Sequence, residues 1–362
     1  TDTPRSTPDE SATLRRSLGR PLETLYTSLS PEPLASASIA QVYAARARDE
    51  AGAERDLVIK VQRQGLPERV GADMQILGFG ASFLQMLPTV KNGNPVGVVR
   101  QFDQTIHEEL DFLREAQHME EFNNIMQALG RSDVCAPRPV RALTSREVLT
   151  MGRFHGFRVD DLAEMERRGI DRKTMEDKLL TGMHAWFQSM LRYGFFHGDV
   201  HAGNLMVLDD GRIGFLDFGI IGRFSLERRR QIADYLVAFT SQDYRSVAKV
   251  MARMGVVEHQ HDDAQLDRFA ADLKDAYGPL LSRSMEKLDY GEIIPKIIRV
   301  SARHGTRLPD DFILVTRQLL YFDRYAKLLA PTLNVFTDPR LMMAIAQDIF
   351  ALAAMESAAG AA

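Results

Sequence analysis

The chain has 362 residues, with 45 Lys plus Arg against 49 Asp plus Glu and a formal charge of −4. At roughly 100–200 residues per domain, that length means two units or one bilobed one, and the near-balanced charge excludes a general nucleic-acid binder, which would carry a basic excess. A single cysteine, Cys135, excludes an internal disulfide framework and any multi-cysteine metal site, as befits a reducing compartment.

The first residues, Thr1 to Glu10, are polar and lack an apolar core, so they form no secretory signal. A start at Thr1 rather than Met predicts a processed or trimmed product. Val42–Arg48 and Leu57–Gln62 alternate apolar with polar residues around the Gly-containing loop Asp49–Arg55, which predicts a hairpin. Met74–Leu87 predicts a helix; the uncharged stretch Met74–Val90 falls short of the ~20 apolar residues a spanning helix needs. Phe102, Ile106, Leu110, Leu113 and Phe122 recur at helical spacing, predicting one helix over Phe102–Leu129. Val140–Leu143 and Glu147–Phe154 read as a second hairpin. Lys173–Tyr193 predicts an amphipathic helix ended by Gly194. Leu205–Leu208 and Arg212–Leu216 flank the turn Asp209-Asp210-Gly211, a strong hairpin signal. Helices follow from Ser225, with breaks expected near Asp243, His259–Asp263, Tyr277–Pro279 and His304–Asp310. The apolar tail Leu341–Met355, interrupted by Asp348, predicts a buried terminal helix, with peripheral membrane contact as the minor reading.

The strongest chemical signal is His197-Gly198-Asp199-Val200-His201-Ala202-Gly203-Asn204, followed by Asp217-Phe218-Gly219. Phosphoryl transfer from ATP needs a carboxylate beside the nucleophile and oxygen ligands for Mg²⁺. Asp199 suits the first role, while Asn204 and Asp217 suit the second, in the order and spacing found in protein kinases. His197 and His201 share the spacing of a helical metal pair, but Gly198 and Gly203 argue against a helix there. They read better as residues that order the loop, which makes zinc an unfavoured reading.

Lys60 lies within the apolar run Leu57-Val58-Ile59-Lys60-Val61, an expensive place for a charge without a partner. A kinase lysine of this kind contacts the α- and β-phosphates and pairs with a helical glutamate. The Phe102–Leu129 segment offers Glu108, Glu109, Asp111, Glu115, Glu120 and Glu121, and periodicity does not choose among them. Glu109 would lie about 200° from Asp111 on a regular helix, so one straight helix cannot aim Glu109, Asp111 and Glu115 at one site. Before the first hairpin, Ala35-Ser36-Ala37-Ser38-Ile39-Ala40-Gln41 stands where a glycine-rich phosphate strap is expected, and contains no glycine. Each Cβ restricts the positive φ that glycine allows, so nucleotide contacts should differ from those of an ordinary protein kinase.

These residues resemble the UbiB/ADCK atypical kinases, a branch of the protein-kinase-like superfamily. The likeness rests on Ala35–Gln41, Lys60-Val61-Gln62, Glu109-Leu110-Asp111 with Glu115-Ala116, Val148-Leu149-Thr150-Met151, Phe195–Asn204 and Leu216–Gly219. Leu319–Asn334 looks like the family's C-terminal region, and the resemblance covers nearly all of residues 20–340.

The resemblance implies an α+β, bilobed protein-kinase-like fold, with a small β-rich N-lobe, a larger mostly helical C-lobe and ATP between them. The corresponding spans are a lead-in over 1–33, the N-lobe over 34–154 and the C-lobe over 155–362. By match to the family, Glu115 partners Lys60, Ala35–Gln41 and Met151 contact the nucleotide, Asp199 is catalytic, and Asn204 and Asp217 hold Mg²⁺. Glu109 and Asp111 form a Glu-x-Asp element that, in the family, engages an N-terminal Lys-x-Gly-Gln extension occluding the peptide site. No Lys-x-Gly-Gln occurs here, which is expected to reflect trimming. Ala40 replaces the family's usual Gly, Gly198, Val200 and Ala202 stand where Ala, Pro and Pro are common, and Gly152 follows Met151 where an acidic residue is common. No counterpart of the C-terminal spanning helices of some members is expected within these 362 residues.

The implied function is Mg-dependent ATP binding with ATPase or kinase activity on a small-molecule or lipid acceptor, such as a quinone precursor, in isoprenoid quinone or other lipid metabolism. The alternatives are a Ser/Thr protein kinase and a nucleotide-gated scaffold with negligible turnover. No nucleic-acid partner is expected. The expected place is the cytoplasm, with membrane association as a variant, or an organelle in a eukaryote. The basic stretch Arg223 and Arg228-Arg229-Arg230 could meet anionic lipid, but reads first as a solvated face.

Overall fold

The computed structural model describes residues 8–36, 39–85, 95–256, 263–282, 290–306, 318, 322, 327–330, 333–334 and 337–359. The chain forms two compact units. The first comprises Thr1–Glu121, Ala136–Phe154 and Asp217–Gly219, and the second Phe122–Cys135, His155–Leu216 and Ile220–Ala362.

An antiparallel sheet organises the first unit, with strands β1 (Ser28–Ser36), β2 (Ala40–Arg48), β3 (Glu54–Gln62) and β5 (Val148–Gly152) in the order β1-β2-β3-β5. β2 and β3 are the hairpin expected around Asp49–Arg55, with Val42 opposite Lys60 and Tyr43 opposite Ile59. Strand alternation sends Tyr43, Ala45, Leu57, Ile59 and Val61 to one face. There they pack with Leu14 of α1 (Pro8–Leu18), Leu22 and Leu25 of α2 (Leu22–Leu25), and Tyr26. Each buried Leu or Ile stabilises this layer by about 1.5–3 kcal/mol. The same alternation turns Lys60 to the opposite face.

Strand β1 was not legible as a strand, because Pro31 and Pro33 interrupt it. It survives as an edge strand with register shifts between Leu29 and Pro33 and between Pro33 and Ala35, where a missing N–H is tolerated. The second expected hairpin is corrected. Arg141–Leu143 is a 3₁₀ turn, and the chain before it touches β5 through a single bridge, Pro139 to Met151. Pro137 and Pro139 remove the donors a longer ladder would need.

The long helix expected over Phe102–Leu129 is also corrected. It is two helices, α4 (Pro95–Glu109) and α5 (Phe112–Ala128), with α3 (Leu66–Gln85) packed on α4. The break falls at Leu110–Asp111. Asp111 Oδ1 accepts the Leu113 N–H at 3.0 Å as a cap, and Phe112 N–H donates to Arg146 O at 3.1 Å. Gln62, at the end of β3, donates its amide to Leu110 O and to Arg146 O.

In the second unit, β4 (Val134–Cys135), β9 (Ile213–Phe215), β8 (Leu205–Leu208) and β6 (Gly156–Arg158) form a sheet in that order, with β4 and β9 parallel. β8 and β9 are the expected hairpin, and Cys135 is buried in β4. β7 (Phe195–His197) pairs with β10 (Ile221–Arg223). Between α6 (Leu162–Arg167) and β7 runs α7 (Arg172–Gln188), whose last turn, Ser189–Tyr193, is a π turn. Gly194 ends it at φ 70°, where an added Cβ would lie 2.3 Å from Phe224 O. Trp186 of α7 is fully buried against Phe187, Phe196 and Phe322 in edge-on contacts.

The helices α8 (Leu226–Thr240), α9 (Tyr244–Arg253), α10 (Asp263–Ser282), α11 (Tyr290–His304) and α12 (Pro339–Ala359) follow. Arg229 of α8 donates to Leu191 O and Arg192 O, and Arg228 to Met254 O, so this basic stretch is partly spent on packing. A break appears at Ser241–Asp243 as expected, but not at Tyr277–Pro279: α10 runs through Pro279. The Asp275 carbonyl, which Pro279 cannot serve, accepts from Lys296 Nζ at 3.5 Å. The breaks expected at 259–262 and 307–310 lie outside the described residues. α12 buries Leu341, Ile345, Leu352 and also Asp348, which accepts from His184 Nε2 and Gln188 Nε2 at 3.0 Å each. Among the described residues, no helix is long and apolar enough to cross a membrane.

Candidate functional site

Lys60 sits on β3, an inner strand of the sheet, between Val42 of β2 and Leu149 of β5. Its side chain is 8% exposed, and Nζ donates to both carboxylate oxygens of Glu115 at 3.0 Å. Glu115 occupies the first turn of α5, so the break at Leu110–Asp111 sets the start from which it is aimed. Asp217 Oδ2 lies 3.4 Å from Nζ, and the Phe112 ring lies beneath the ammonium at 5.2 Å. Burial alone would lower Lys60, but the Glu115 and Asp217 carboxylates outweigh it and hold the ammonium well above the usual lysine range. Burial pushes Glu115 up; the Lys60 ammonium opposes this and the Asp217 charge adds to it. Of the six acidic residues offered by this segment, Glu115 meets Lys60. Glu109 is half-buried, and Asp111 lies 3.7 Å from Arg146 besides capping α5.

Asp217 adopts φ 53°, in the left-handed region that Asp enters more readily than most residues. Such a conformation costs about 1–3 kcal/mol and persists where its surroundings enforce it. Glu115 accepts from the Phe218 N–H, and the Phe218 carbonyl is bonded to His118 Nδ1 at 2.9 Å. His118 lies one turn beyond Glu115 on the same face of α5; sequence reasoning missed it, although its spacing from Glu115 was the available signal.

In the second unit, the segment after β7 carries Asp199 and Asn204. The Asp199 N–H donates to His197 Nδ1 at 3.2 Å, and His197 Nε2 is bonded to Leu216 O at 3.0 Å. Both imidazole nitrogens are thus engaged with backbone, leaving neither for a metal. His201 Nδ1 accepts from Gly203 N–H at 3.0 Å, and its Nε2 lies 3.6 Å from Asp199 Oδ2. Asn204 Nδ2 donates to Asp199 O at 3.0 Å and reaches Asp199 Oδ2 at 3.4 Å. Trp186 Nε1 donates to His197 O at 2.9 Å; the sequence carried no spacing signal for that contact. Gly198 is tightly placed, since an added Cβ would lie 2.7 Å from Ile220 Cγ2.

Of the small-residue strap, Ala35 and Ser36 end β1, opposite Val42 and Gln41 of β2. Ser36 Oγ accepts from Arg63 at 2.7 Å, Ile39 O accepts from Arg63 N–H at 3.1 Å, Ala40 is buried, and Gln41 accepts from the Tyr43 hydroxyl. Ala37 and Ser38 lie outside the described residues. Met151 lies on β5 opposite Val58, half-buried.

The donor chemistry fits a hard cation. Asp217 offers a carboxylate on a side chain 42% exposed, and the Asn204 amide, with Nδ2 turned to Asp199, presents Oδ1 as an acceptor. Among the described residues, no group of three or more His, Cys, Asp or Glu forms a metal cage. Mg²⁺ takes one or two protein oxygens and completes its shell with phosphates and water, so Asp217 and Asn204, each taken by itself, have the chemistry of a ligand for it.

An antiparallel sheet bearing a lysine–glutamate pair, followed by the Asp199–Asn204 loop and the hairpin before Asp217, defines a kinase-like domain. A solved complex of a Mycobacterium tuberculosis protein with erythromycin shares the fold, with a TM-score of 0.57 and 22% identity over 91% of this chain and 83% of that one. The chain belongs to the ABC1/UbiB atypical kinase-like family: the ABC1 atypical kinase-like domain matches residues 3–251 and the UbiB helical domain residues 273–334. Relatives include an uncharacterised chloroplastic aarF domain-containing protein kinase of Arabidopsis thaliana, 35% identical over 91% of this chain and 64% of its own length. An uncharacterised Mycobacterium tuberculosis protein is 36% identical over 90% and 65%, and a probable protein kinase UbiB of Sodalis glossinidius 29% identical over 90% and 58%. The chain thus spans less than two thirds of the length of these relatives.

Proposed function

We propose that this chain binds Mg·ATP and transfers its γ-phosphoryl group to water or to a small-molecule or lipid acceptor, as a UbiB-type atypical kinase or ATPase. Isoprenoid quinone or other lipid metabolism is the setting we infer from the UbiB name of its relatives. The observation that carries the reading is the buried Lys60 ammonium, bonded at 3.0 Å to both Glu115 oxygens with Asp217 at 3.4 Å. A buried lysine whose ammonium form is favoured by two carboxylates has an evident use in binding the α- and β-phosphates. Residues 34–154 and 155–362 would serve as N-lobe and C-lobe, with 1–33 as lead-in.

In this reading Glu115 orients Lys60, while Ala35–Gln41 and Met151 contact the nucleotide. Asp199 accepts the proton of the acceptor hydroxyl or water as its oxygen attacks the γ-phosphorus. The bond to the bridging oxygen breaks and ADP leaves. Asn204 and Asp217 would hold the magnesium, which when bound neutralises charge on the β- and γ-oxygens. His197 and Asn204 fix the backbone that presents Asp199. Peripheral membrane contact belongs to the same reading, and the exposed Ile76, Phe79 and Phe83 of α3 support it.

The test is Mg-dependent ATP hydrolysis by purified protein, with and without anionic vesicles and phenolic quinone precursors. Asp199→Asn should lower kcat by about 10²-fold or more while nucleotide binding persists. Absence of Mg-dependent nucleotide binding, or turnover that survives Asp199→Asn, sinks the proposal. Ser or Thr autophosphorylation lost in Lys60→Ala would favour a protein kinase. Tight binding without phosphate release would favour a scaffold.

A further inference from the structure

We propose that Gln318 is a positioning residue for Asp199, a buried amide that grips the loop backbone on both sides of that carboxylate. The inference rests on the reading of Asp199 as the proton acceptor. Gln318 lies within the UbiB helical domain match, far along the chain from the loop, and is fully buried. Its Nε2 donates to Gly198 O at 2.6 Å, and its Oε1 accepts from Val200 N–H at 2.6 Å.

The remaining backbone groups of the loop show why these two need an outside partner. Gly198 N–H donates to Ile220 O at 2.8 Å, and Asp199 N–H donates to His197 Nδ1. Asp199 O accepts from Asn204 Nδ2 and from His201 N–H at 3.0 Å each. The Gly198 carbonyl is the acceptor just before Asp199 and the Val200 N–H the donor just after it, and Gln318 takes both. A primary amide offers a donor and an acceptor side by side, whereas a carboxylate offers acceptors only and an apolar side chain neither. Glutamine is thus chemically matched to the gap.

A second contact runs in parallel. Phe322, four residues beyond Gln318 in sequence, is buried with its ring 5.7 Å from that of Trp186, whose Nε1 donates to His197 O. Positions 197, 198 and 200 are therefore held directly by Gln318 or through one intervening side chain from Phe322. The Asp199 side chain itself is 26% exposed, so its aim depends on the backbone that carries it. A residue of the helical domain thereby acquires a task, that of fixing the Asp199 loop.

Two measurements test this on the purified full chain. Hydrogen–deuterium exchange of the segment Phe195–Asn204 reads the clamp without any assay of activity. Gln318→Leu should speed exchange there and lower kcat for ATP hydrolysis about 10- to 100-fold, the cost of a slightly misplaced group, with KM for ATP unchanged. Gln318→Glu keeps the acceptor for Val200 but sets a carboxylate against Gly198 O. Its kcat should recover as pH falls and the acid regains a donor, and this variant serves if Gln318→Leu fails to fold. Unchanged loop exchange in a folded variant overturns the clamp, as does a rise in KM at constant kcat. If the wild-type protein hydrolyses no ATP, the enzymatic reading fails, and loop exchange alone then decides the clamp.

Discussion

At the scale of single residues, the Lys60–Glu115 pair is balanced by mutual need. Removing the lysine leaves burial and the Asp217 charge pushing Glu115 up, opposed only by the Phe218 N–H bond, the smallest of the influences on it. Loss of one partner from a buried pair costs about 3–5 kcal/mol, so Lys60→Met should be destabilised by that much near neutral pH. A carboxyl whose folded value is raised is least penalised below its unfolded value, ordinarily 4.5, and loses stability as pH climbs through the folded one. Denaturant titrations of Lys60→Met should therefore show the deficit narrowing as pH is lowered; a deficit independent of pH would contradict this. In the wild-type chain, the Lys60 contribution is complete below its ordinary value of 10.5 and is lost only at higher pH.

At the scale of elements, the C-terminal helix α12 is docked by a carboxylate as well as by its apolar side chains. Asp348 is buried and accepts from His184 and Gln188, while Arg131 donates to His184 Nδ1 at 3.2 Å, so the network reaches back to the loop before β4. Asp348→Ala would strand two donors at about 1–3 kcal/mol each. Urea unfolding should register that loss, and the C-terminal segment should become the first site of proteolytic nicking. Equal stability would show that water replaces the carboxylate.

Elements also explain what could be read in advance. The Asp199–Asn204 block, Asp217 and the hairpin between them were legible because their spacing and turn chemistry are local. Lys60 stood out as a charge in an apolar strand. Glu115 needed family resemblance, since its aim follows from a helix break set by Gln62 and Arg146, which are distant in sequence from that break. The run through Pro279 was hidden for the same reason, as its orphaned carbonyl is met by Lys296 from another helix. Asp348, which looked like an interruption of an apolar tail, is one of the residues that dock it. Gln318 had no signal at all, because its partners are backbone atoms.

At the scale of the whole molecule, the candidate residues divide between the two units. The first has Lys60, Glu115 and Asp217 braced by an inner strand and a fresh helix start; the second has Asp199 and Asn204 on a loop whose backbone groups are satisfied by named partners. Exposed ion pairs such as Arg245 with Asp263 and Asp267 decorate the surface and contribute little, about 0–1 kcal/mol each. The buried aromatic set around Trp186 is the larger contributor, since removing a ring of this kind costs about 3–5 kcal/mol.

Trp186 has one more consequence. It is the only tryptophan in the chain, fully buried, and its indole N–H is bonded to the carbonyl of His197. The protein thus carries a single intrinsic fluorophore wired to the backbone that presents Asp199. Its emission should lie at the blue end of the tryptophan range, shift red only on unfolding, and change intensity when the loop rearranges. Titration with Mg·ATP, followed at that emission, would report the motion of the Asp199 loop with no label added.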